Sequence, residues 1–255
     1  MAELVIRQIP VLRDNYVYLI RDPDTAATAV VDPAVAGPVL DVLKETGWRL
    51  THILNTHHHS DHTGGNLELE AATGCTIVGP RADRARIPGI DVAVGEGDTY
   101  AFGNRPARVF DVPGHTRGHI AYWFADSQAL FCGDTMFIMG CGRLFEGTPA
   151  QMWNSLGKLK GLPPETRIYC AHEYTQNNAR FALSVDPGNA ALKARAQRID
   201  ELRAQNLPTV PGTLAEELLT NPFLRADHPA LQQLAGAVGD PVATFAAIRH
   251  RKDIF

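Results

Sequence analysis

Between His57 and His62 the chain places four histidines and an aspartate in six positions, His57-His58-His59-Ser60-Asp61-His62, directly after a short apolar run. Imidazole and carboxylate are ligands for zinc, iron and manganese. Alternate residues of an extended stretch point the same way, so the spacing lets His57, His59 and Asp61 converge while His58 faces away. His62 then begins the turn that Gly64 and Gly65 allow. A solvated loop needs polar residues but has no reason to prefer imidazoles. Three further candidates, His115, Asp134 and His172, each stand just past a strand-like run: Ala107–Phe110, Ala129–Cys132 and Arg167–Cys170. Ligand sites in layered α/β structures form outside strand ends, where loops from several strands meet, so these distant residues are candidates for one pocket.

The seven side chains exceed what one metal needs, because a catalytic zinc takes three protein ligands and keeps a position open for water. Two ions about 3.5–4 Å apart suit them better, with one carboxylate shared to fix the spacing and reduce cation repulsion. Solvent between two such cations would be deprotonated near neutral pH, which gives the site its own hydroxide. No other catalytic machinery competes. The four serines include none in G-x-S-x-G, and neither a phosphate-binding G-x-x-x-x-G-K-[ST] loop nor a G-x-G-x-x-G helix start occurs.

The elements that must position these residues follow from periodicity and turn chemistry. Leu4–Ile9, Tyr16–Ile20 and Thr28–Val31 read as an opening meander, followed by a helix around Val39, Leu40, Val42 and Leu43 that stops at Gly47. His52–Leu54 reads as the strand that feeds the histidine run, and strand-like runs recur at Thr76–Val78, Tyr100–Phe102 and Ile120–Phe124. A helix starts at Thr148, with Pro149 at its first position and Gln151 completing a capping box. Beyond His172 only helical periods remain, such as Leu192, Ala196, Ile199 and Leu202. Thr213 with Glu216 and Asp240 with Pro241 mark two further helix starts. The expected organisation is a catalytic domain over residues 1–173 and an all-helical domain over residues 174–255.

At 255 residues with 45% hydrophobic and 20% charged, the chain can bury a full core, which excludes intrinsic disorder. A net charge of −4 gives no basic stripe for a phosphate backbone, so nucleic acid is not an expected partner. No uncharged run approaches the ~18 residues that span a bilayer, and the opening segment is broken by Glu3 and Arg7. Neither a signal peptide nor a membrane anchor is expected. Cys75, Cys132, Cys141 and Cys170 stand singly, without a C-x-x-C pair, which fits buried thiols in a reducing cytoplasm. His52, His119, His228 and His250 read as structural or edge residues, and Tyr122, Trp123 and Phe124 as strand core.

The motifs Thr56-His-His-His-Ser-Asp-His-Thr-Gly-Gly65, Pro113-Gly-His-Thr-Arg-Gly-His119, Cys132-Gly-Asp134 and Cys170-Ala-His172 resemble, in order and spacing, those of the metallo-β-lactamase superfamily. Within it, Gly140-Cys-Gly-Arg-Leu-Phe-Glu-Gly147, His172-Glu-Tyr-Thr-Gln-Asn-Asn178 and Arg249-His-Arg-Lys-Asp253 resemble the glyoxalase II, or hydroxyacylglutathione hydrolase, family. The resemblance runs from Tyr16 to Phe255. It implies an α/β fold, the αββα metallo-β-lactamase sandwich followed by a C-terminal all-helical domain. It further implies two divalent metal ions per chain, zinc foremost with iron or manganese as alternatives. His57, His59 and His115 would hold the first ion and Asp61, His62 and His172 the second, with Asp134 and a hydroxide bridging and with Asp61 and Asp134 as catalytic carboxylates.

The resemblance also assigns the glutathione moiety to Arg143, Tyr174, Asn178, Arg249 and Lys252. The basic members agree in kind with a ligand that carries two carboxylates. One departure is visible: Phe145 stands where the family can carry a tyrosine beside the substrate. The implied reaction is hydrolysis of S-D-lactoylglutathione to glutathione and D-lactate by the bridging hydroxide, the second step of methylglyoxal detoxification. Apart from the resemblance, the single thiols lead to the expectation of a cytoplasmic protein, and a monomer is the default expectation. Two other readings of the motifs are a persulfide dioxygenase with one iron, against which the helical third and its Arg/Lys terminus argue, and a metal-buffering or glutathione-binding module without turnover.

Overall fold

The continuous apolar runs near the start form a mixed sheet whose central members are covered on both faces, as the absence of polar alternation in them requires. The computed structural model describes residues 3–255; Met1 and Ala2, which the expected first domain includes, lie outside the described residues. By packing, the described chain forms two units: one runs to Asp111 and resumes over Arg117–Gly133, and the other comprises Val112–Thr116 and Asp134–Phe255. This partition differs from the expected boundary near residue 173, because Asn178, Glu217 and Asn221 of the C-terminal helices bond the backbone of residues 137–140.

The first unit contains β1 (Val5–Val11), β2 (Asn15–Arg21), β3 (Thr28–Val31), α1 (Gly37–Thr46), β4 (His52–Leu54), α2 (Ser60–Thr63), α3 (Asn66–Thr73), β5 (Thr76–Pro80), β6 (Val92–Val94), β7 (Thr99–Phe102), β8 (Arg105–Asp111), β9 (Ile120–Phe124) and β10 (Ala129–Gly133). Strands β1 to β6 lie in chain order, antiparallel from β1 to β3 and parallel from β3 to β6. Strands β7 to β10 form an antiparallel ladder. Period-two alternation sorts the first sheet's side chains. Val17, Leu19, Val30, Ile53 and Ile77 pack beneath Val39 and Leu43 of α1 and Leu69 of α3. On the opposite face Tyr18 meets Phe131 of the second sheet with ring centroids 5.6 Å apart, and Phe131 and Phe102 each pack on Phe124. Burying each such side chain contributes roughly 1.5–3 kcal/mol.

A charged cluster locks the edge of this unit. Arg105 is fully buried and pairs with Asp22 at 3.1 Å, Asp24 at 2.9 Å and Asp126 at 2.9 Å. Burial pushes the Asp22 carboxyl up, but donation from the Asn104 N–H, the Thr25 hydroxyl, the Asp24 N–H and the Arg105 guanidinium outweighs it and holds the pKa at about 2.

The second unit contains β11 (Met136–Phe137) and β12 (Gly140–Cys141), which form a hairpin, then α4 (Pro149–Lys160), β13 (Arg167–Cys170), α5 (Thr175–Val185), α6 (Ala190–Ala204), β14 (Gly212–Thr213), α7 (Leu214–Thr220), α8 (Pro229–Ala235) and α9 (Pro241–Asp253). The expected capping boxes at Thr148 and Thr213 are formed, and the Asp240 side chain accepts from the Ala243 N–H. Helix α5 packs on α6, and α9 packs on α4 and α8. Two-residue β14 interrupts the otherwise helical third by pairing with β13. Among the described residues, no helix is long and apolar enough to cross a membrane.

Candidate metal centre

In the first unit the strand register brings the polar residues to one level. Val31 pairs with Leu54 and Leu54 with Val78, so β3 and β4 end level while β5 runs on to Pro80 beside β6, and Asp32 and Asn55 continue the ladder by one backbone hydrogen bond each. His57 follows two residues later, fully buried, with Nε2 3.1 Å from Nδ1 of His59. The His62 ring lies 4.0 Å from that of His57, and His119 stacks on His57 at 4.5 Å and 15°. Asp61 is half-buried, with Oδ2 3.6 Å from Nε2 of His62, and Asn15 donates to the same oxygen at 3.1 Å. His58 faces away, toward Asp83. The extended stretch ends earlier than its spacing implied. Helix α2 starts at Ser60, so Asp61 reaches the group from a helical turn rather than by strand alternation, and the turn precedes His62.

Asp32 belongs to this arrangement and was not among the expected site residues. It accepts the N–H and the hydroxyl of Thr56, both at 2.7 Å, and Nδ1–H of His62 at 3.1 Å. Ligand atoms of Asp32, His57 and His62 lie within 4.8 Å of one another. With its oxygens engaged, Asp32 orients His62 and leaves Nε2 as the lone-pair nitrogen. Its φ of 50° is the left-handed conformation that turns the carboxylate back onto Thr56, a strained geometry for a residue other than glycine. The available signal was its place directly after β3 and before Pro33.

In the second unit Asp134 lies between two imidazoles. Its Oδ2 is 3.4 Å from Nε2 of His115 and its Oδ1 is 3.4 Å from Nε2 of His172. His115 donates Nδ1–H to the Arg143 carbonyl at 2.9 Å, which fixes Nε2 as its lone-pair nitrogen. The Tyr174 ring stacks on His172 at 4.8 Å and 3°. Gly142 closes against this group: a Cβ there would lie 2.0 Å from the Asp134 carbonyl oxygen and 3.0 Å from Nδ1 of His115, so only glycine fits. Burial pushes the thiols of Cys141 and Cys170 up to about 11 and about 12, which makes them inert fillers rather than nucleophiles.

The five residues expected to meet the ligand differ in exposure. Arg143 and Tyr174 are exposed and Lys252 is half-buried, whereas Asn178 and Arg249 are buried. Asn178 donates to the Ile138 carbonyl at 3.1 Å, and Arg249 donates to the Cys141 carbonyl at 2.9 Å and to Asp253 at 3.0 Å. Arg143 lies 3.8 Å from the same Asp253 oxygen. Lys252 sits between the rings of Phe181 and Phe255, each 5.2 Å away. Burial first, and then the Arg249 and Arg143 charges, lower its pKa to about 8. Phe145 is exposed, with its ring 5.2 Å from that of His115.

Imidazole nitrogens whose ring partners are engaged, set beside carboxylate oxygens, form the donor chemistry of divalent transition metals, and both clusters fit it. Comparison with known proteins agrees. The metallo-beta-lactamase superfamily profile matches residues 11–172, and the profile described as hydroxyacylglutathione hydrolase C-terminus matches residues 173–255. The hydroxyacylglutathione hydrolase of Methylococcus capsulatus is 61% identical over 253 residues, covering 99% of each chain. That of Rhodospirillum rubrum is 58% identical over 256 residues, covering 100% of each. Among solved structures, ETHE1 from Myxococcus xanthus aligns at a TM-score of 0.66 and 25% identity over 98% of this chain and 99% of its own. TTHA1623 in a di-iron-bound form aligns at a TM-score of 0.61 and 25% identity over 86% of this chain and 100% of its own.

Proposed function

The chain belongs to the hydroxyacylglutathione hydrolase family of the metallo-β-lactamase superfamily, and from that premise we propose that it hydrolyses S-D-lactoylglutathione to glutathione and D-lactate. His57, His59 and His115 would hold one divalent ion, and Asp61, His62 and His172 a second, with Asp134 shared between them. Zinc is the proposed metal. The observation that carries this reading is Asp134, which directs one oxygen at each of two imidazole Nε2 atoms. When bound, the ions lower the pKa of water toward neutrality and oppose the charge that develops on the thioester oxygen.

The chain's own groups do the rest. Asp32 and the Arg143 carbonyl keep His62 and His115 in the tautomer that presents Nε2. No side chain need donate a proton to the leaving sulfur, since a thiol of pKa near 8.5 departs largely as thiolate. Arg143 and Lys252 supply charge to the glutathione carboxylates, Tyr174 lies beside His172, and Asn178 and Arg249 hold the segment from Ile138 to Cys141 on which Arg143 follows. Residues 1–173 form the catalytic domain in this reading and residues 174–255 the substrate domain. The protein acts as a cytoplasmic monomer on a small-molecule thioester, without nucleic acid or membrane as partner.

The test is the steady-state loss of the thioester absorbance with purified protein, with metals assayed on the same sample and a chelated control. Hydrolysis that vanishes on chelation and returns with zinc is the expected result. A sample carrying two ions per chain that leaves the thioester intact would reject the proposal.

A further inference from the structure

His58 stands between two of the proposed ligands and turns its ring onto a buried acid. Its Nδ1 lies 3.2 Å from Oδ2 of Asp83, which is 1% exposed at the end of the short helical turn after β5. The other oxygen of Asp83 accepts Nε–H of Arg86 at 3.0 Å, and Nη1 of Arg86 lies 3.3 Å from Nε2 of His58. On its far side the carboxylate abuts Gly118, where a Cβ would fall 2.2 Å from the Asp83 carboxyl carbon. Two residues further on, the Ile120 N–H donates to the Thr56 carbonyl at 2.9 Å. Asp83 is therefore wedged between the histidine run and the Arg117–His119 segment, in the turn that follows β5, the strand hydrogen-bonded beside β4.

We propose that Asp83 is a positioning residue for the metal centre, acting through His58 to fix the backbone that sets His57 against His59. In an extended stretch the side chains of both faces share one backbone, so pinning the middle ring restricts the dihedral angles on either side of it. The 3.1 Å approach of His57 Nε2 to His59 Nδ1 is then preset, and a metal need not order it on entry. Groups that orient ligands from behind typically account for a 10- to 100-fold difference in metal affinity. The inference rests on the reading of His57 and His59 as ligands.

The experiment titrates the metal-free protein with zinc against a chromophoric chelator and records thermal unfolding of the same metal-free samples. The variants are Asp83→Asn, His58→Ala, His58→Gln and the double Asp83→Asn/His58→Ala. Each of the first two is expected to weaken zinc binding by about 10- to 100-fold. The double variant should be no weaker than the singles, and His58→Gln, which keeps a donor for Asp83, should recover part of the loss. His58 is partly exposed, so His58→Ala should melt near the wild type, which separates positioning from general destabilisation. Wild-type affinity in His58→Ala, or losses that multiply in the double variant, would overturn the proposal. A wild type that takes up no zinc would reject the metal reading and this inference together, whereas normal uptake with unaffected variants rejects this inference alone.

Discussion

The Asp32 carboxylate lies 3.1 Å from Nδ1 of His62 and receives both the N–H and the hydroxyl of Thr56 at 2.7 Å, so one acid ties the ring of one proposed ligand to the backbone next to another. Replacing it with alanine frees the His62 ring to rotate and leaves the buried Thr56 N–H without that acceptor. Asp32→Ala is expected to bind zinc about 10- to 100-fold more weakly than the wild type. Chelator competition on the metal-free protein measures this. Unchanged affinity would show that His62 is held by other contacts.

The histidine run was legible because imidazole at that density has no structural use, and its place after β4 followed from the apolar run before it. Thr148, Thr213 and Asp240 were legible because helix starts have local chemistry. Asp32, Asn15 and Asp83 were not, since a lone polar residue in a turn has the same sequence signature whether it supports a ligand or only a bend. The burial of Arg249 was equally hidden, because cations in the last turn of a helix also favour its dipole. Strands β11, β12 and β14 are two residues long and carry no period to detect.

Under the proposed function, in which Lys252 meets a glutathione carboxylate, substrate binding depends on pH. Its pKa of about 8 leaves it charged below that pH and neutral above it, with Arg249, Arg143 and Asp253 the other charged groups of the cluster. KM for the glutathione thioester should therefore rise between pH 7 and pH 9 while kcat changes little. Lys252→Met should show a raised KM throughout and lose the step. A KM that is flat with pH in the wild type would place Lys252 outside the binding interaction.

The Arg105 cluster predicts how the protein fails in acid. The folded pKa of Asp22 is about 2, below the unfolded value of about 3.9, so its contribution is fully present above pH 4 and is lost as pH falls toward 2. Urea midpoints of the metal-free protein should drop through that window, and less steeply for Asp22→Asn. Parallel curves for the two proteins would mean that other carboxylates govern acid unfolding.

Glu217 is the buried acid that joins α7 to the hairpin. It accepts the Met139 N–H at 2.8 Å, Nη2 of Arg195 at 2.6 Å and Nδ2 of Asn221 at 2.9 Å. Glu217→Ala strands the Arg195 charge in the interior, since Glu216 is 3.7 Å away and 37% exposed. A loss of about 3–5 kcal/mol is expected on urea unfolding. Glu217→Leu combined with Arg195→Met should recover much of it, because removing both charges also removes the desolvation cost. A double variant less stable than Glu217→Ala would mean that the pair does more than offset its own burial.

Phe145 tests where the thioester lies. The ring is 63% exposed and 5.2 Å from that of His115, so a hydroxyl at its tip would face a ligand bound beside His115 without disturbing the core. One added hydrogen bond contributes about 0.5–1.5 kcal/mol, which corresponds to a roughly two- to tenfold lower KM for Phe145→Tyr. Because that bond would form with the glutathione moiety in ground state and transition state alike, kcat should stay near its wild-type value. A lower kcat with unchanged KM would instead show that the hydroxyl disturbs His115 and that the substrate passes elsewhere.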